Sequence, residues 1–76
     1  MRSRRGPIHA TTMISDLDIY RAATLVIKRH GPEAVIEAAR MVDRMLELGD
    51  LEGRLLWQRI RRAIEMLQAP ADGPVN

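Results

Sequence analysis

Gly31-Pro32 and Gly49-Asp50 are the features that most narrow what this chain can fold into. Each pairs a residue able to take a positive φ with one suited to open a helix. They cut the helical pattern of residues 16–69 into three lengths. Within each length apolar residues recur every three or four positions, the spacing of one helix face. β-branched and aromatic residues are too sparse and scattered for a sheet. The expected fold is all-α: a compact three-helix bundle with short inter-helix turns and flexible termini.

The first helix is expected over 16–30. Ser15 is a suitable N-cap, and Asp18 three residues on completes a capping-box pattern. Asp16 and Asp18 suit the positive end of the helix dipole, and Lys28, Arg29 and His30 suit the negative end. Ile19, Ala22, Ala23, Val26 and Ile27 form the inward stripe, and Gly31 supplies a left-handed stop.

The second helix is expected over 32–48, with Pro32 in its first turn. Its apolar stripe is wide: Ala34, Val35, Ala38, Ala39, Met41, Val42, Met45, Leu46 and Leu48. Glu33, Glu37, Arg40, Arg44 and Glu47 form the opposite, solvated face.

Asp50 is placed to cap a third helix over 51–69, which Pro70 stops. Leu56, Trp57, Ile60, Ala63, Ile64 and Leu67 are expected inward, with Leu55 and Met66 on the edges. Gly53 is costly in a helix interior, which predicts close approach of another backbone or room for the Trp57 indole. Tyr20 and Trp57 are the sole aromatic residues, and both are expected inside the core or at its edge. Links of one or two residues force neighbouring helices to pack antiparallel or at a steep angle.

The division of the chain follows. Residues 1–13 read as a basic, flexible arm, 14–69 as the helical domain, and 70–76 as a frayed tail. Ser3-Arg4-Arg5 loosely resembles a twin-arginine signal, but no apolar h-region follows. The plainest reading of the arm is an extension upstream of a natural start at Met13. Contact with nucleic acid or acidic lipid is the other.

The chain has 76 residues, 12 Lys and Arg against 10 Asp and Glu, and no Cys. That excludes a disulfide framework and thiolate metal sites. The net charge of +2 is unevenly placed. Arg2, Arg4 and Arg5 carry the whole excess, residues 13–69 are neutral, and Asp72 stands alone in the tail. The basic balance therefore does not describe the folded part.

A catalytic constellation is absent from the pattern. His9 lies in the arm, where nothing holds it near a substrate. His30 reads as a partner for the helix dipole. No phosphate loop, nucleophile elbow or zinc-protease motif occurs. Asp43, Glu47, Asp50 and Glu52 lack the alternation of a calcium loop, and capping explains them. No enzyme activity, cofactor, metal or small-molecule substrate is expected.

Two binding readings remain. Met41 and Met45, one turn apart, are flexible and polarizable. With Leu25, Leu51 and Leu55 they form the candidate protein interface, for a protein partner or a second copy of the chain. The alternative is nucleic-acid binding through Arg54, Arg59, Arg61 and Arg62 of the third helix. Arg54, Gln58, Arg61, Arg62 and Glu65 are expected to share its outward face. No aromatic platform for single-stranded bases accompanies these arginines.

Asp18-Ile19-Tyr20-Arg21-x-Ala23, Lys28-Arg29-His30-Gly31, Met45-Leu46-x-x-Gly49-Asp50 and Trp57-x-Arg59-Ile60 together resemble a group of short alphaproteobacterial proteins of uncharacterised function. The resemblance covers residues 14–68. It implies a cytoplasmic bacterial protein and brings no catalytic residues.

Overall fold

The computed structural model describes residues 14–70, and all regular structure in them is helical. Helix α1 spans Asp16–His30, α2 spans Ala34–Leu48 and α3 spans Leu51–Leu67. A single 3₁₀ turn, Gly31–Glu33, joins α1 to α2. The first two helices are therefore one long helical stretch bent at Gly31–Glu33, and α3 folds back against both. None of these helices is long and apolar enough to cross a membrane. The arm expected over 1–13 lies outside the described residues, as does the tail beyond Pro70.

Each helix start behaves as its sequence requires. The Ser15 hydroxyl accepts the Asp18 N–H at 3.2 Å. Asp18 turns its carboxylate to Arg21, 3.7 Å away, so the reciprocal half of a capping box does not form among the described hydrogen bonds. Asp50 Oδ1 accepts the Gly53 N–H at 2.8 Å and caps α3.

The two glycine turns differ, and Pro32 is the reason. Gly49 is left-handed helical (φ 74, ψ 19). Its N–H reaches the Leu46 carbonyl at 3.1 Å, and the Asp50 N–H reaches the Met45 carbonyl at 2.9 Å. This pair of bonds is a Schellman stop. Gly31 also has positive φ and ends α1 as expected, but its ψ is −130, outside the left-handed helical region. A residue before proline is pushed out of helical ψ. Glycine, having no Cβ, reaches the mirror image of the extended region at equal ease. Proline also ends the α-helical start: α2 begins at Ala34 rather than residue 32, after the 3₁₀ turn. Likewise α3 ends at Leu67, short of residue 69, because Ala69 precedes Pro70.

The core is built on alanine. Ala23, Ala34, Ala38 and Ala63 account for half of the eight buried apolar residues among the described residues. Ile19, Ile60 and Ile64 complete the central cluster, and Val42 is buried beside it. Small side chains let helix backbones approach closely. Among the described residues Ile64 is the largest side chain fully removed from water. Val26, Ile27, Val35, Leu56 and Trp57 pack against this centre while remaining half-buried. Trp57 is thus an edge residue, and Tyr20 is more exposed still.

Part of the expected inward set faces solvent. Leu46, Leu48 and Leu67 are all exposed, at 60%, 64% and 49%. Leu48 and Leu67 are the last residues of their helices, where no neighbouring turn covers them. The reason for Gly53 also differs from the expectation. A Cβ there would sit 2.7 Å from Asp50 Oδ2 and 2.7 Å from Met45 Sδ. Gly53 makes room for the side-chain cap of its own helix and for a methionine of α2, not for a backbone or the indole.

Candidate functional site

The candidate interface residues divide among three surface grooves instead of forming one patch. Leu25 and Met41 share a groove of about 410 Å³ with Trp57. The C-terminal end of α1 supplies Leu25 and Arg29, α2 supplies Glu37 and Met41, and α3 supplies Trp57. Leu25 is 61% exposed at its lip, while Met41 and Trp57 are half-buried. Arg29, His30 and Glu37 bring both charge signs to the margin. Glu37 also pairs with Arg40 at 3.6 Å.

Met45 and Leu51 line a smaller recess of about 120 Å³ at the α2–α3 turn, with Leu46 and Arg54 beside them. Leu51 is exposed, and Met45 is drawn inward against Gly53. Leu55, half exposed, lines a third groove of about 420 Å³ with Ile14, Asp50, Glu52, Leu56 and Arg59.

The arginines of α3 sit differently from the expected outward face. Glu52, Leu55, Arg59, Arg62 and Met66 are exposed at the three- and four-residue spacing of a single stripe. Arg54, Gln58 and Arg61 are half-buried. The Nε atoms of Arg54 and Arg61 are covered and have no hydrogen-bond partner. The long stems of these two side chains therefore lie along the protein surface. Arg61 Nε stands 3.7 Å from Glu65. Arg59 is held by α1: Nη2 donates to Asp16 Oδ1 at 2.9 Å and Nη1 to the Ile14 carbonyl at 3.2 Å. Among the described residues Arg62 makes no ion pair. The rotation of α3 explains the difference. Its buried centre is Ile60, Ala63 and Ile64, and packing on both α1 and α2 brings the flanking positions 54, 58 and 61 partly under cover.

The Arg59 bridge also splits the α1–α3 cleft. On one side lies the groove holding Leu55. On the other is a pocket of about 200 Å³ lined by Ile19, Tyr20, Arg62 and Met66. The Tyr20 hydroxyl donates to Met66 Sδ at 3.9 Å there. At the far end of the molecule, Gln68 Nε2 donates to the Gly31 carbonyl at 3.0 Å and ties the end of α3 to the α1–α2 bend.

Two of these features were not expected: the Arg59 bridge and the exposure of Leu46. A single aromatic among aliphatic stripes signals an anchor, but the stripe alone does not show how much of the ring neighbours cover. The described residues hold no cluster of three or more His, Asp or Glu placed to bind a metal ion. Comparison with family models, curated proteins and solved structures finds no match to this chain.

Proposed function

We propose that this chain is a small non-enzymatic interaction module, a three-helix unit that binds a protein partner or a second copy of itself. The groove of Leu25, Met41 and Trp57 carries the reading. It combines a tryptophan, a residue type enriched among interface hot spots, with a flexible methionine and an exposed leucine. Its margin places Arg29 on one helix and Glu37 on the next. A two-fold contact requires a self-complementary patch. In such a contact Arg29 of one copy faces Glu37 of the other. The reading takes with it the cytoplasmic, bacterial setting that the sequence resemblance implies.

The surface of α3 argues against nucleic-acid binding as the main role. Phosphate contacts need cationic heads free to reach the backbone. Here Arg59 pairs with Asp16, Arg61 stands beside Glu65 and Arg54 is half-buried, which leaves Arg62 as the one exposed arginine of the four without an ion pair among the described residues.

Sedimentation equilibrium across the micromolar range tests the reading, with Trp57 fluorescence as a second probe. The expected result is a concentration-dependent dimer that Leu25→Lys abolishes while helix content stays unchanged. Leu25 is exposed, so the substitution does not disturb the core. A strict monomer whose Trp57 emission ignores concentration, and which captures no partner that Leu25→Lys releases, would overturn it.

A further inference from the structure

The α2–α3 turn carries an exposed ridge of leucines. Leu46 of α2 and Leu51 of α3 line one recess from its two sides. Leu55 follows Leu51 by one turn of α3, about 6 Å along the same face. All three side chains are exposed. Arg44 and Leu48, each two residues from Leu46 in sequence, belong to the opposite side of α2. A contiguous apolar run left in water and rimmed by polar residues marks a surface that meets a partner.

The charges around this ridge are one-sided. Asp43 precedes Leu46 by one turn on the same face, and Glu47 and Glu52 adjoin Leu46 and Leu51 in sequence. All three acids are exposed, and none makes an ion pair among the described residues. Asp50, the cap of α3, adds a fourth carboxylate. The recess holds one cation, Arg54, which is half-buried with its Nε covered. The helix dipole acts in the same sense. The last turn of α1 carries Lys28, Arg29 and His30, but the last turn of α2 holds no basic residue. The negative end of α2 therefore opens onto the ridge without a cation from its own helix.

We infer that the ridge docks a partner protein through a cationic amphipathic helix. Apolar residues of that helix, at three- and four-residue spacing, lie on Leu46, Leu51 and Leu55, and its Lys and Arg side chains face Asp43, Glu47 and Glu52. The carboxylates and the α2 C-terminus both favour the approach of positive charge. An acidic helix or an anionic lipid surface meets like charge at the same place. The inference is independent of the proposed function, which rests on the groove of Leu25, Met41 and Trp57.

Amide NMR of the full chain, titrated with two synthetic peptides, tests this. Both peptides are about five helical turns long with leucine at three- and four-residue spacing. One carries lysine at its other positions and its twin carries glutamate. The lysine peptide should shift the Leu46, Leu51, Glu52 and Leu55 amides and leave those of Leu25 and Trp57 unmoved. Its affinity should fall by about tenfold towards about 1 M salt, where the screening length is near 3 Å. The glutamate peptide should not bind. Leu46→Lys should abolish binding of the lysine peptide with helix content unchanged, because Leu46 is exposed and a cation suits the end of α2. Glu47→Arg combined with Glu52→Arg should reverse the preference between the peptides. No binding, equal binding of both peptides, or shifts centred on Leu25 and Trp57 would overturn the inference. So would a dimer that Leu46→Lys disperses and Leu25→Lys does not, since the occupant would then be a second copy. Phosphatidylcholine vesicles shifting the same amides would overturn it in favour of a lipid surface.

Discussion

Arg59 and Asp16 join two helices whose positions in sequence are 43 residues apart, with Nη2 2.9 Å from Oδ1. A second guanidinium nitrogen reaches the Ile14 carbonyl at 3.2 Å. The planar fork of arginine makes this double contact from one side chain, which the point charge of lysine does not reproduce. The side chains are 42% and 88% exposed, so solvent screens the pair. Arg59→Ala should lower unfolding free energy by no more than about 1 kcal/mol. Urea denaturation at low and high salt checks this, and the loss should shrink at high salt. Hydrogen exchange at the start of α1 should rise in the same variant, because the tie to α3 is gone.

The two turn glycines should respond unequally to alanine. Neither has an atom within 4 Å of the place a Cβ would take, so the cost is in the backbone alone. Gly49 has left-handed helical angles, and alanine there should cost about 1–2 kcal/mol. Gly31 combines φ 56 with ψ −130, a region an L-residue scarcely visits. Gly31→Ala should therefore cost more, up to about 3 kcal/mol. Thermal unfolding of the two variants side by side gives the order. Equal midpoints would contradict the difference drawn between the turns.

Gly53→Ala should fail to give the usual stabilisation. Replacing an interior helix glycine by alanine normally gains about 1 kcal/mol. Here the new methyl would stand 2.9 Å from Asp50 Cγ and displace the capping carboxylate. Losing an Asp cap costs about 0.5–2 kcal/mol. The variant should end no more stable than the original chain by urea denaturation. In an Asp50→Ala background the cap is already absent, and Gly53→Ala should then stabilise. That reversal of sign isolates the cap from the Met45 contact.

Ile64 and Trp57 should rank in the opposite order to their size. Ile64 is fully buried, and Ile64→Ala should cost about 2–5 kcal/mol. Trp57 is half-buried at the edge of a groove, so Trp57→Ala forfeits only part of its transfer energy, about 2 kcal/mol. Denaturant midpoints of the two variants decide the ranking. A greater loss at Trp57 would place the indole in the centre of the core.

How legible each feature was depends on the range of the interaction that sets it. The Ser15 and Asp50 caps involve partners three residues away, so local sequence contains everything needed to read them. Gly49 is equally local. Gly31 was only half legible: its positive φ follows from the helix stop, but its ψ depends on the joint effect of the stop and Pro32. The candidate interface residues were legible one by one, but their grouping was not. Leu25, Leu51 and Leu55 are exposed as expected, yet they lie in three separate grooves.

The sequence by itself determined the helical class, the three helix lengths to within two residues, and the alanine-rich faces that meet in the core. All of these follow from periodicity and from punctuation acting over one helical turn. Only the tertiary structure decided the rotation of α3 and everything dependent on it. An apolar stripe wider than one neighbour can cover leaves several rotations compatible with the same pattern. The choice among them falls to packing: Ile60, Ala63 and Ile64 fit between α1 and α2 in one orientation. That orientation half-covers Arg54 and Arg61, aims Arg59 at Asp16, and leaves Trp57 open on one side. The surface available for binding is therefore a consequence of how the core closed.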